Sequence, residues 1–509
     1  MARRLVTLGG FLRWPGTAAA VLVLLLTLGT VFAVASRATG ASLTAADWAA
    51  VRFTLLQASL SALVSVGLAI PVARALARRR FVGRGALITL LGAPFILPVI
   101  VAIFGLLATF GRNSVLSTLL GWIGLPPVSI YGLHGVVLAH VFFNLPLASR
   151  LILHGWLSIP AERFRLAASL NAPVWRLLEV PMLRATAPGA FVMVFLLCLT
   201  SFAVALTLGG GPKATTIELA IYQALRFDFD LGKAALLACM QFGFCAIVAG
   251  AAWFVSHPNG LGAGLDRVVE RWDKGGGCDA LLLGLVTLFL ALPLATVIWR
   301  GLPGLALLPG SVWMAAARSV AVALASVILT LCMALAMALR GGWLVAVAGV
   351  VPLAASSLVM GTGLFLLVFP LGWVAGLALP VTAVVNAVLS LPFALRVLNP
   401  AVAGAESGYG RLATSLGLQG WARLRWLVLP RARRALGFAA GLTAALSMGD
   451  LGVIALFAGD SAETLPLAMA RLMEAYRMEA AAGAGLLLLL LSLGLYWVFD
   501  RGGRVDAEA

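Results

Sequence analysis

One carboxylate stands inside a long apolar run: Asp450, in the stretch LTAALSMGDLGVIALF at 442–457. At membrane depth such a group has two uses. It offers negative charge to a cationic or protonated cargo, or it accepts hydrogen bonds from a serine or a backbone group and holds helices together. The sequence leaves both readings open. Asn144 and Gln241 are further candidates for a cargo pathway, and His140 and Gln57 lie in similar surroundings. A lone polar side chain in a helix bundle more often joins helices than binds cargo. Metal and catalytic chemistry find little footing. The four histidines, His134, His140, His154 and His257, show no H-E-x-x-H spacing. The cysteines, Cys198, Cys239, Cys245, Cys278 and Cys332, fall in or beside apolar runs without metal-ligand spacing, and read as small buried apolar residues. GGGPK at 209–213 lacks the spacing of a phosphate loop and reads as a tight turn leading into a re-entrant or surface helix.

The elements that must position these residues are membrane helices. The chain has 509 residues, is 62% hydrophobic and 11% charged, and has a mean hydropathy of +1.05, which places it in a bilayer. A helical span needs about 20 mostly apolar residues. Twelve such runs occur, near 16–35, 53–76, 86–110, 131–153, 186–208, 231–255, 278–299, 317–339, 343–370, 374–395, 435–458 and 480–499. The run at 343–370 contains Pro352, Gly361 and Gly363 and is expected to be bent or broken. The first run follows Arg3, Arg4 and Arg13 and ends in AVASRA, as a cleaved signal would; retention as a true span is expected.

A net charge of +17 invites a nucleic-acid reading until the charges are placed. With a cytoplasmic N-terminus, 26 of the 36 Lys and Arg residues fall in segments assigned to the inner side, the positive-inside pattern of topology. The expectation is a multi-pass membrane protein with both termini cytoplasmic and no nucleic-acid partner.

The chain also repeats itself. RLAASL at 165–170 returns as RLATSL at 411–416, LPLASR at 145–150 as LPFALR at 391–396, and Trp175 as Trp421, all 246 residues apart; TIELA at 216–220 echoes TLPLA at 464–468. Six spans and a basic loop therefore occur twice in parallel order. Pro160 suits a helix start, and ERFRLAASL then reads as a short amphipathic helix in which Phe164, Leu166 and Leu170 cluster. Asn171 and Gly417, residue types that tolerate left-handed backbone, end the phrase. Each loop is thus expected to be a helix, a sharp turn and a second helix at the membrane face. A solvated basic loop would have no use for duplicated leucines, so a protein-docking surface is expected.

With these residues in view, the chain resembles the permeases of binding-protein-dependent ABC importers. RLATSLGLQGWARLRWLVLP at 411–430 is similar to their EAA loop, whose helix docks in a cleft of an ATP-binding subunit. SFAVALTLGGGPKATTIELAIYQALRFDFD at 201–230 and SMGDLGVIALFAGDSAETLPLAMARLMEAYR at 447–477 resemble two segments of the thiamine transport permeases, whose halves are fused in one chain. The resemblance covers essentially the whole chain, and LTLGGGPKATTIELAIYQAL carries its most specific part.

It implies an all-α polytopic membrane protein of the type I ABC importer permease fold, with about twelve transmembrane helices in two tandem six-helix halves. These are a first half at 1–256, a cytoplasmic linker at 257–277 and a second half at 278–509, with coupling loops at about 158–184 and 397–434. Arg165, Leu166, Ala167, Ala168, Leu170 and Asn171 in one loop, and Arg411, Leu412, Ala413, Leu416 and Gly417 in the other, would dock ATPase subunits. The implied partners are two copies of an ATP-binding cassette subunit and a periplasmic solute-binding protein. ATP and Mg would sit on those subunits, with no cofactor, metal or catalytic residue on this chain. The implied cargo is thiamine or its phosphate esters, and Asp450 would suit a thiamine cation.

Two departures stand out. The family's acidic loop residue is replaced by Arg165 and Arg411, and the distance from turn residue to terminal proline is 10 residues in the first copy and 13 in the second. Three residues are nearly one helical turn, so the first docking surface is expected to be shorter or rotated. A permease for another solute such as ferric iron is the nearest alternative. An ion-coupled secondary carrier would normally show several intramembrane ionisable groups, and a membrane enzyme acting on lipid-linked substrates would need an acidic or metal-binding constellation.

Overall fold

A computed structural model of the chain describes residues 10–38, 42–112, 114–126, 129–209, 211, 214–254, 277–372, 374–457 and 462–504. The expected linker, apart from Gly277, lies outside them, as do Gly210, Pro212 and Lys213 of the GGGPK turn. Regular structure among the described residues is helical throughout. The helices preceding the linker are α1 (Gly10–Arg37), α2 (Ala45–Arg78), α3 (Arg84–Leu90), α4 (Val99–Phe110), α5 (Val115–Trp122), α6 (Leu133–Leu157), α7 (Ala161–Ser169), α8 (Val180–Leu199), α9 (Phe202–Leu208), α10 (Ile217–Arg226) and α11 (Leu231–Phe254). After it come α12 (Gly277–Gly304), α13 (Gly310–Arg340), α14 (Trp343–Val350), α15 (Ser357–Val368), α16 (Val374–Ser415), α17 (Gly420–Arg423), α18 (Leu429–Met448), α19 (Gly452–Phe457), α20 (Leu465–Glu474) and α21 (Met478–Arg504).

Among the described residues, ten helices are long and apolar enough to cross a bilayer, and α14 with α15 forms an eleventh span if that pair, bent by 94°, is counted as one. The break at 343–370 falls just after the 3-10 turn that holds Pro352, whereas Gly361 and Gly363 lie inside the unbroken α15. The run at 86–110 was expected to be a single helix and is not: α3, a 3-10 turn at Ala93–Phe95 and α4 share it. Pro94 lies in that turn and Pro98 caps α4; neither has an N–H to continue a helix. Pro94 and Pro352 are 258 residues apart, and α4 and α15 are each 12 residues long. At 1.5 Å per residue such a helix spans about 18 Å, short of the roughly 30 Å hydrocarbon layer.

Two compact units divide the chain, one comprising Met1–Ser42, Ile221–Ala246 and Leu305–Ala509, the other Leu43–Ala220 and Ile247–Gly304. They are a different partition from the sequence halves. In the first unit α1 packs on α13, α14 and α15; in the second α12 packs on α2, α3 and α4. The contacts of α1 with α15 and of α12 with α4 each depend on a glycine. A Cβ on Gly363 would strike the Thr30 backbone, and one on Gly105 the Pro293 backbone. These glycines too are 258 residues apart, so the close approach was copied with the duplication.

The short helices α10 and α20 are seated alike. Their first amides, Ile217 N and Leu465 N, donate to Thr54 Oγ1 at 2.9 Å and Ser319 Oγ at 2.8 Å. A hydroxyl from a long neighbouring helix thereby satisfies a donor that the helix start leaves open.

Candidate coupling loops and translocation residues

Local sequence sets up the first loop. Pro160 caps α7, Phe164 and Ala167 turn inward and are buried, and Leu166 and Leu170 are 60% and 68% exposed. Phe164 therefore does not cluster with the two leucines as expected; it anchors the helix while they face outward. Arg165 and Ala168 are also exposed. Asn171 takes φ 48° and ends the helix.

The second loop presents the same face by a different route. Its docking segment is not a separate helix, because α16 continues without a break to Ser415. Arg411, Leu412 and Leu416 are exposed, Ala413 is buried as Ala167 is, and Gly417 makes the turn at φ 70°. Exposed leucines at matching positions of both copies are what a docking helix requires.

Beyond the turns both loops enter a π turn, Trp175–Glu179 and Leu424–Val428, in which Val180 N–H bonds Trp175 O and Leu429 N–H bonds Leu424 O. Pro181 and Pro430 follow directly. A proline ring collides with the carbonyl four residues back in a regular α-helix, and the wider turn relieves that. The π turns align Trp175 with Leu424, not with Trp421. The three extra residues of the second loop are thus the turn of helix α17, which carries Trp421, while the docking faces before it match.

The loops are anchored differently. Arg74 of α2 meets Glu179 at 2.8 Å through both Nε and a terminal nitrogen, Trp156 Nε1 donates to Glu179 Oε1 at 3.1 Å, and the Arg74 guanidinium lies 5.0 Å from the Trp175 ring centre. Glu179 is fully buried. In the second loop Arg423 of α17 forks onto Glu406 through Nε and a terminal nitrogen and also donates to Thr414 Oγ1 at 3.3 Å and Gly410 O at 3.4 Å.

Farther along α6 and α16 a buried polar layer is also duplicated. In one unit His140 Nδ1 and Ser61 Oγ are 3.1 Å apart, Asn144 Nδ2 donates to Cys198 Sγ at 3.3 Å, and Gln57 Nε2 donates to Cys198 O at 3.0 Å. In the other, Asn386 Nδ2 donates to Ser447 Oγ at 3.0 Å, and Ser447 is 3.0 Å from Ser326 Oγ. Asn386 stands 246 residues after His140, and Ser447 stands 249 after Cys198. Asn144 thus belongs to a layer that ties helices together. Gln241, a candidate of the other unit, donates to Cys245 Sγ one turn along its own helix at 3.7 Å. Sequence reading flagged His140, Asn144 and Gln57 singly but missed the serines and Cys198, residues too ordinary to signal alone.

Immediately past Ser447 the helix breaks. Asp450 lies between α18 and α19, and its carboxylate accepts the N–H groups of Gly452 and Val453, while Oδ2 is buried without a hydrogen-bond partner. One oxygen serves the backbone and the other is left without a hydrogen bond. Asp450→Asn keeps an acceptor for the two amides and removes the charge. The expected result is about a tenfold loss of cargo uptake with assembly intact, measured in membranes with matched expression; unchanged uptake would reduce Asp450 to a helix cap.

Two tandem copies of one helical unit, each with a broken span, a copied short helix and an exposed loop face, define a multi-pass permease of the type I ABC importer fold. No family model matches the chain. The thiamine transport system permease protein ThiP of Escherichia coli (strain K12) is 40% identical over 486 residues, 89% of each chain. Its namesake in Haemophilus influenzae is 36% identical over 478 residues, 90% of this chain and 88% of the relative. The molybdenum transport system permease protein ModB of Azotobacter vinelandii is 29% identical over 181 residues, 35% of this chain and 80% of its own. The chain belongs to the family of thiamine transport system permease proteins.

Proposed function

We infer that this chain is the translocation subunit of a bacterial inner-membrane importer that moves thiamine or its phosphate esters inward. The observation that carries the reading is identity of 36–40% to thiamine permeases along about nine-tenths of the chain. The exposed, duplicated loop leucines support docking of two ATP-binding cassette subunits, which would bind ATP and Mg and perform the hydrolysis. A periplasmic solute-binding protein would deliver the cargo, and this chain would catalyse no reaction of its own. Labelled-thiamine uptake by cells lacking their own importer, with this chain and its partner subunits restored, tests the reading. ATP-dependent uptake is expected. Uptake driven by an ion gradient alone would indicate a secondary carrier, and uptake of ferric iron in place of thiamine would overturn the cargo.

The charge asymmetry supports cytoplasmic termini and cytoplasmic coupling loops. In a cysteine-free background, Asp228→Cys in the exposed turn after α10 should react with an impermeant thiol reagent from outside, and Gln419→Cys only after permeabilisation. Both positions are exposed, so accessibility of the fold does not limit either result. The reverse pattern would invert the topology.

A further inference from the structure

The unit containing α15, α19, α20 and the start of α11 holds an aromatic seam. Along it, Ser357 of α15 lies beside Gly452 of α19, Gly361 beside Val453 and Leu456, and the Phe365 ring 5.6 Å from that of Phe457. The two helices therefore run side by side away from Asp450. Phe365 stacks on Phe369 at 5.5 Å, and Phe369 meets Phe229 edge-on at 5.7 Å. Phe457 and Phe365 are buried, while Phe369 and Phe229 are 40% and 56% exposed. A cavity of about 70 Å³ opens among Leu225, Arg226, Phe229, Phe365 and Leu456.

Phe229 takes φ 51°, as Tyr476 takes φ 57° in the matching turn before α21, so this left-handed geometry belongs to the duplicated turn. What separates the seam from ordinary core packing is a comparison that the duplication offers. At the 258- and 249-residue offsets that align α4 with α15 and α8 with α18, Phe365, Phe369, Phe457 and Asp450 correspond to Leu107, Gly111, Leu208 and Ser201. At these four positions the other copy builds the same helices without rings or charge, so the fold does not require them there.

We propose that Phe229, Phe369, Phe365 and Phe457 form a stacking site for a heteroaromatic cation at the outer end of this seam, passing it toward Asp450. Ring faces attract both flat heterocycles and cationic ones, and the graded exposure gives the ring a route inward. Arg226 in the cavity wall suits the phosphate of an ester form. The proposal rests on the thiamine-type cargo inferred above.

The test uses the assembled importer in membranes, with thiamine and thiamine monophosphate as cargo. Phe229→Asn relaxes the backbone, since asparagine tolerates left-handed geometry, and removes the ring. It should leave thermal stability equal or higher and lower thiamine uptake about three- to tenfold, whereas Phe229→Tyr should stay within about twofold. Phe365→Leu should lose uptake similarly while ATPase co-purification is unchanged. Arg226→Gln should weaken uptake of the monophosphate more than that of thiamine. Wild-type uptake by Phe229→Asn and Phe365→Leu, in an importer that carries thiamine, would overturn the seam and leave the transport function standing. Failure of the wild-type complex to carry either compound would instead refute the cargo.

Discussion

Leu416→Asp should strip the ATP-binding subunit from the second coupling loop. Leu416 is 66% exposed, so the substitution leaves the permease core intact and the loss reports docking. Burying a leucine side chain contributes about 1.5–3 kcal/mol, and the variant also forces an unpaired carboxylate into an apolar contact. Together these weaken association by at least about a hundredfold, since each 1.4 kcal/mol is tenfold. Leu170→Asp makes the same change on the matching face of α7. The second loop adds α17, with Trp421 also 66% exposed, and so holds the larger surface; Leu416→Asp should be the more damaging. Co-purification of the ATPase and cargo-stimulated hydrolysis are the measurements, with Gln419→Ala as the exposed control. Wild-type coupling in both aspartate variants would leave the repeated phrase as a relic of duplication.

That face was visible in the sequence because apolar residues in a basic loop between spans are costly and their repetition at one spacing is hard to explain otherwise. The register beyond it was not. Trp175 and Trp421 share the 246-residue offset, yet the π turns ahead of Pro181 and Pro430 shift the alignment by three residues, and no residue pattern marks a wide helical turn. Similarly, Pro352 announced the bend at 343–370, although the two glycines read with it lie inside the unbroken α15, whereas Pro94 and Pro98 sat in a run of ordinary length and went unread as a break. Asp450 was legible as an intramembrane carboxylate, but its bonds to Gly452 and Val453 depend on the break after α18. The polar layer was the least legible part. Ser61, Cys198, Ser326 and Ser447 acquire meaning only when helices far apart in sequence meet.

The asymmetric anchors predict an asymmetric failure. Glu179 is fully buried, and its partner Arg74 is about 30% exposed, so water partly relieves the arginine when the pair is broken. Glu179→Ala should therefore fall near the lower end of the cost of breaking a buried pair, about 3 kcal/mol, and it also leaves Trp156 Nε1 without its acceptor. Arg423→Ala leaves the Glu406 carboxylate, 17% exposed, without its forked partner. Its cost should be similar, but its reach differs. Arg74 and Glu179 are 105 residues apart and tie the first loop to α2, whereas Arg423 and Glu406 are 17 apart and brace the second loop against itself. Arg423→Ala should loosen the docking surface and lower ATPase co-purification. Glu179→Ala should keep the subunit bound through Leu166 and Leu170 yet transmit its stroke poorly, so that more ATP is hydrolysed per cargo molecule moved. The ratio of hydrolysis to uptake in proteoliposomes separates the two outcomes. A double-mutant cycle on Arg74 and Glu179 should show the pair to be strongly non-additive. Additive losses there, or an unchanged ratio in Glu179→Ala, would mean that the first loop moves with the bundle through packing alone.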